Sequence, residues 1–154
     1  MTNSNSKFEF LFEFPVLTKA LGALDYQTLK AIKNELKMNT TCIDSDLGGG
    51  ANGHLGMILT AIEYALVAMN TPYVRHIMPT IPIFADKTPQ HEVIRRRDDF
   101  KEDKRLFKEM ISLEKSLLQQ LSKAIPEMYL KRFRNKDSNA INKPISFILL
   151  HLFS

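Results

Sequence analysis

The stretch DLGGGANGHLG, Asp46 to Gly56, sets glycines 48, 50 and 53 in the spacing G-x-G-x-x-G. Loops of that form hold a dinucleotide pyrophosphate against a helix N-terminus, because bare glycine backbone lets phosphate oxygens reach amide N–H groups. The chemistry also needs a buried strand before the first glycine and an acidic residue about 20 positions later, at the end of a second strand. Here the polar, twice-acidic MNTTCIDSD comes first, and a helical pattern and a proline-rich stretch follow, so no βαβ unit is expected. A kinase-type phosphate loop fails as well, since His54 and Leu55 stand where Lys and Ser or Thr should follow Gly53. The loop therefore reads as structural. Gly48, Gly49 and Gly50 permit positive φ, while Gly53 and Gly56 let the following helix start close to a neighbour. A nucleotide-binding enzyme built on this loop is the minor alternative.

The other candidates for chemistry are weaker. His54 has apolar Ile58 four residues on and no second ligand at metal-like spacing, so it is expected to close the glycine loop by hydrogen bonding. His76, His91 and His151 are scattered and carry no assigned chemistry. Asp44 with Asp46, and Asp98 with Asp99, form carboxylate pairs, but acid–base work needs one member desolvated, and both pairs read as surface. The single cysteine, Cys42, excludes an intrachain disulfide and a cysteine-rich zinc module. No catalytic residue, metal ligand or cofactor is expected. In KRFRNK, the cations Lys131, Arg132, Arg134 and Lys136 surround Phe133, which could stack on a base while the cations meet phosphates. The preferred reading is a solvated helix end with one core aromatic.

These residues must be positioned by elements that the pattern also predicts. Of the 154 residues, 44% are hydrophobic and 25% charged, ordinary for one soluble globular domain. Residues 1 to 71 carry five lysines against seven acids, and residues 72 to 154 carry sixteen Lys or Arg against ten acids. An anionic partner, if there is one, belongs on the second half. No secretory signal is apparent, and the nine-residue run ISFILLHLF is too short to span a bilayer, so a cytoplasmic protein with no membrane partner is expected.

Residues 1–14 read as a disordered or extended arm in which FEFLFEF fits a strand or a helical turn equally well. Asp25 is placed as N-cap of a helix to about Met38, with Tyr26, Leu29, Ile32 and Leu36 on its inner face. HLGMILTAIEYALVAM is apolar on all sides and is predicted to be a buried helix at the centre of the core. Prolines 72, 79, 82 and 89 make the next segment an extended crossover, whose Tyr73, Val74, Ile77, Ile81, Ile83 and Phe84 suggest a groove between helices. Thr88 is expected to cap a helix of about 36 residues, roughly 50 Å long, that projects or bends in its charged first half. Its buried stripe is Phe100, Phe107, Met110, Ile111, Leu117, Leu118 and Leu121, and Glu92–Arg96 and Arg105–Glu109 pair on the wet face. Pro126 opens a short helix, and Pro144 a last apolar one, which ends without a glycine cap or polar tail, so truncation there is expected. The fold class is all-α: an irregular multi-helix domain with one long charged helix and a proline-rich extended crossover segment.

The order of these pieces carries a resemblance. A GGGxxGHLG loop leading into a helix with Tyr64, the TPYV-to-proline segment and the paired QQL…A…YL helices resemble the Gag-like capsid proteins of copia-type retrotransposons in algal and other protist genomes. It spans residues 15 to 153. It implies a single helical Gag-like domain over 15–154, self-associating into a shell around RNA, without catalysis. Zinc knuckles, a protease D-[ST]-G and a polymerase Y-x-D-D are absent from the sequence. The expected function is a non-catalytic self-assembly protein, with a sequence-independent RNA or single-stranded DNA binder as the alternative.

Overall fold

The computed structural model describes residues 8, 11–43 and 52–154. Asp25 caps the first helix, α1 (Tyr26–Thr40), by accepting from the Thr28 N–H at 2.7 Å. Leu29, Ile32 and Leu36 recur every three or four residues and face inward, whereas Tyr26, expected among them, is exposed. Of the arm, the structure describes Phe8 and residues 11–14. Phe12 N–H donates to Phe8 O at 3.0 Å, which closes one helical turn and sets both rings into the core with Leu11 outside. The two rings stack with centroids 6.5 Å apart. Burying two phenylalanines offsets the entropy of fixing the described part of the arm.

The predicted buried helix at 54–69 breaks in two. Leu55–Met57 form a short 3₁₀ turn, and α2 (Ala61–Val67) starts afresh at Thr60. Thr60 Oγ1 accepts from Glu63 N–H at 3.3 Å and Glu63 Oε1 accepts from Thr60 N–H at 3.1 Å, a reciprocal cap that fixes a new helix start. The consequence is a split in burial. Leu55, Met57, Ile58 and Leu59 are inside, but within α2 only Tyr64 is, and Ile62 and Leu66 face out at 78% and 81% exposure. Met69 and Asn70, at φ of 53° and 68°, end the element.

Residues 71–85, the strap, have no regular secondary structure, and among the described residues 72–84 make no backbone–backbone hydrogen bond. The expected groove is not there: Val74, Ile77, Ile81 and Ile83 are exposed, with only His76 buried and Tyr73 and Phe84 half-buried. The next helix, α3 (Gln90–Ala124), follows Pro89 with no side-chain cap; the Thr88 hydroxyl donates instead to Ala85 O at 2.7 Å. Its buried residues begin only at Met110 and continue through Leu113, Leu117, Leu121 and Ala124, while Phe100, Phe107, Ile111 and Leu118 are half-buried. On the wet face Arg95, not Arg96, takes Glu92 (2.6 Å), because Arg96 lies 4.9 Å over the Phe84 ring. Arg105 holds both Glu102 (2.7 Å) and Glu109 (3.4 Å).

The chain then forms α4 (Glu127–Leu130), a 3₁₀ turn at Lys131–Phe133, one isolated antiparallel bridge between Arg134 and Ile141, and α5 (Ile145–Leu152). The fold is all-α and irregular, with no sheet among the described residues. The main core lies where α1, the second half of α3 and α5 meet the arm's two phenylalanines. Among the described residues no helix is long and apolar enough to cross a membrane.

Candidate functional site

Gly48, Gly49 and Gly50 lie outside the described residues, as do Asp44 and Asp46. Past the loop, Gly53 adopts φ +55°, and a Cβ built there would stand 2.6 Å from the carbonyl oxygens of Thr40 and Ile43. His54 N–H donates to Thr40 O at 3.1 Å, so residues 53–54 sit directly on the C-terminal end of α1. Gly56 meets the Tyr73 ring so closely that a Cβ would overlap its carbons. The Gly56→Ala variant should therefore expel Tyr73 and lose about 1–3 kcal/mol. Gly22→Ala, at φ +77° in open space, should lose only about 1 kcal/mol of backbone strain. Urea unfolding of the two side by side checks the ranking.

His54 is buried, and its Nδ1 lies 3.0 Å from the Tyr73 hydroxyl. Tyr73 in turn packs edge-on against Tyr64, with centroids 5.5 Å apart. The strap also brings buried His76 to 6.4 Å from the His54 ring, a neighbour that a separation of 22 residues does not announce. Burial lowers the His54 pKa to about 4, helped by nearby His76 and Arg75. Burial likewise raises Tyr73 to about 12. At neutral pH both groups are uncharged, and the Tyr73 hydroxyl shares one hydrogen bond with Nδ1, whose donor is set by the imidazole tautomer. Arg75 is tied to Glu114 of α3 at 2.7 and 3.3 Å. This arrangement fastens the strap to the body. Among the described residues no group of three His, Cys, Asp or Glu is placed to hold a metal ion.

The basic cluster does not converge. Phe133 is buried, edge-on to Phe147 at 6.2 Å and to His151 at 6.3 Å, and is unavailable to stack on a base. Arg132 donates to His151 O at 3.0 Å and covers the Phe133 ring at 4.8 Å. Arg134 forks onto the Glu127 carboxylate at 2.5 and 3.0 Å, which holds Glu127 below its ordinary pKa, and also donates to Asn139 O at 3.1 Å. Lys131 and Lys136 remain exposed. Both arginines are thus partly engaged within the chain.

What the surface does offer is apolar. Ile62, Leu66 and Met69 are exposed at i, i+4 and i+7, and Ile77, Ile81 and Ile83 follow along the strap. No family model, curated protein or solved structure matches this chain.

Proposed function

We propose that this chain is a non-catalytic structural module that associates with copies of itself through the outward apolar residues of α2 and the strap. The observation that carries this reading is the outward turn of 61–69: the Thr60–Glu63 cap faces Ile62 and Leu66 into solvent in a segment apolar enough to have filled a core. Ile62 and Leu66 stand four residues apart on one helix face, and a contiguous exposed apolar face is the form an interaction surface takes. The long charged helix and the proline-rich crossover belong to the same reading. The crossover runs beside the first half of α3, where Phe84 lies under Arg96 and Arg97 at 4.9 and 5.6 Å. The resemblance to Gag-like capsid proteins is what makes the partner another copy. The last helix contributes less to such a surface, since Ile145, Ile148 and Leu149 of α5 are spent on the core. RNA binding by the 131–136 cluster is the lesser reading, because Arg132, Phe133 and Arg134 are engaged within the chain.

Sedimentation across micromolar concentrations tests the assembly. The wild type should grow in mass with concentration, and Ile62→Glu with Leu66→Glu should stay monomeric at unchanged helicity. A wild type that remains a strict monomer at its highest soluble concentration overturns the proposal.

A further inference from the structure

Away from the α2 face, a cleft of about 610 Å³ opens between the strap, α3 and the start of α5. Its walls are apolar: Tyr73, Ile111, Leu118 and Ile141 among them. Four charged groups line it, Arg75, Glu114, Lys115 and Lys143. Arg75 and Glu114 neutralise each other through their two hydrogen bonds. That leaves two ammonium groups: neither Lys115 nor Lys143 forms an ion pair among the described residues, and the Lys143 ammonium lies 5.5 Å from the centre of the Phe147 ring. The Asn142 amide and Ser146 hydroxyl, also at the cleft, make no side-chain hydrogen bond to described residues. A concave, largely apolar surface with a few polar groups along its lining is the usual form of a small-molecule site.

The wall that the strap supplies is held in place from behind. Tyr73 is fixed by His54 at 3.0 Å and by Tyr64, and Arg75 by Glu114 at 2.7 Å, so the cleft is built before any ligand arrives. Preformation lowers the ordering cost of binding. The sign of the charge and the nature of the walls define the occupant. From these groups we infer that the cleft binds a small amphiphilic carboxylate, its apolar body between Tyr73, Ile111 and Ile141 and its anionic head at Lys115 and Lys143. Lysines lining the cleft can supply a carboxylate with charge-assisted hydrogen bonds that a neutral or cationic analogue cannot make.

The test uses 2-naphthoate as the probe, with naphthalene-2-carboxamide and 2-naphthylmethylamine as the neutral and cationic counterparts, each titrated into the whole chain by calorimetry and methyl NMR. Naphthoate should bind about tenfold or more tightly than the amide, the amine should bind least, and salt should weaken naphthoate alone. Binding should shift the Ile111 and Ile141 methyl signals. The variant Lys115→Met with Lys143→Met keeps the apolar stems and should reduce naphthoate to the affinity of the amide. Lys30→Met, on α1 and outside the cleft lining, should leave it unchanged. Equal binding of amide and carboxylate by the wild type overturns the inference without recourse to any variant, and so does naphthoate binding that survives the double substitution. Neither result bears on self-association, which the mass measurement decides separately.

Discussion

Asn39→Ala is expected to be among the most damaging single changes in this chain, lowering stability by about 3 kcal/mol or more and setting the N-terminal arm loose. Asn39 is fully buried near the C-terminal end of α1. Its Oδ1 accepts from Phe14 N–H at 2.9 Å, and its Nδ2 donates to Phe14 O at 2.8 Å and to Gln120 Oε1 at 3.0 Å. Gln120, from α3, donates in turn to the carbonyls of Phe14 and Pro15, both at 2.9 Å. Two amides from different helices therefore satisfy the backbone where the arm enters the core. Truncating one strands the Phe14 N–H and Gln120 Oε1, at about 1–3 kcal/mol for each buried group without a partner. Phe8 and Phe12 depend on that entry, so their burial should weaken with it. Denaturant unfolding gives the magnitude. Faster hydrogen exchange at the Phe14 amide and new protease cleavage near Pro15 report the freed arm. A loss below about 1 kcal/mol with the arm still protected would mean that the phenylalanines hold it unaided.

The clamp also explains which parts of the fold are legible in the sequence. Local signals read well: Asp25 as a cap, the Leu29–Ile32–Leu36 spacing and the helix-opening Pro126 and Pro144 each depend on residues within one or two turns. Leu113 stands four before Leu117 and three after Met110, so the period of α3 could have found it. The break at Thr60 was legible too, because T-x-x-E ahead of an apolar run is a capping box; the apolar content of 54–69 hid it by suggesting continuous burial. Other features have no local signal. Asn39 and Gln120 are 81 residues apart, and Arg132 reaches His151 across 19. For the candidate cleft, Lys115 and Lys143 come from different elements, and only tertiary packing places them on the same opening. The expected strap groove failed for a related reason: hydrophobic residues in an extended segment read alike whether they are buried by their own chain or left outward.

The second large effect is one of pH. His54 is held at about 4 in the folded chain, below the 6.5 of a free histidine. The unfolded chain therefore takes up this proton first as the solution is acidified. The His54 contribution to stability is fully present above pH 6.5 and is lost as pH falls from 6.5 through 4, because protonation favours the unfolded state throughout that window. The shift amounts to about 3 kcal/mol in full, of which about 2 kcal/mol should be gone by pH 5. Carboxylates whose pKa values are lowered, Glu63, Glu92, Glu102 and Glu127, begin from 4.5 and act chiefly below that range, so the upper part of the window belongs to histidine. Physically, a protonated His54 ring has no acceptor nitrogen left, and a cation buried in that pocket is opposed by the loss of water and by the nearby Arg75 and His76. Unfolding by urea at pH 7, 6 and 5 measures the slope, and His54→Gln, which can still accept from Tyr73, should flatten it. An NMR titration of the His54 ring should give a midpoint about 4. A wild type equally stable at pH 7 and 5 would mean that His54 is not held low, and a His54→Gln variant with the wild-type slope would locate the pH sensitivity elsewhere. If the slope is as expected, acid should loosen Tyr73 first and Arg75 with it, because the strap that walls the cleft is pinned to the body at this buried ring.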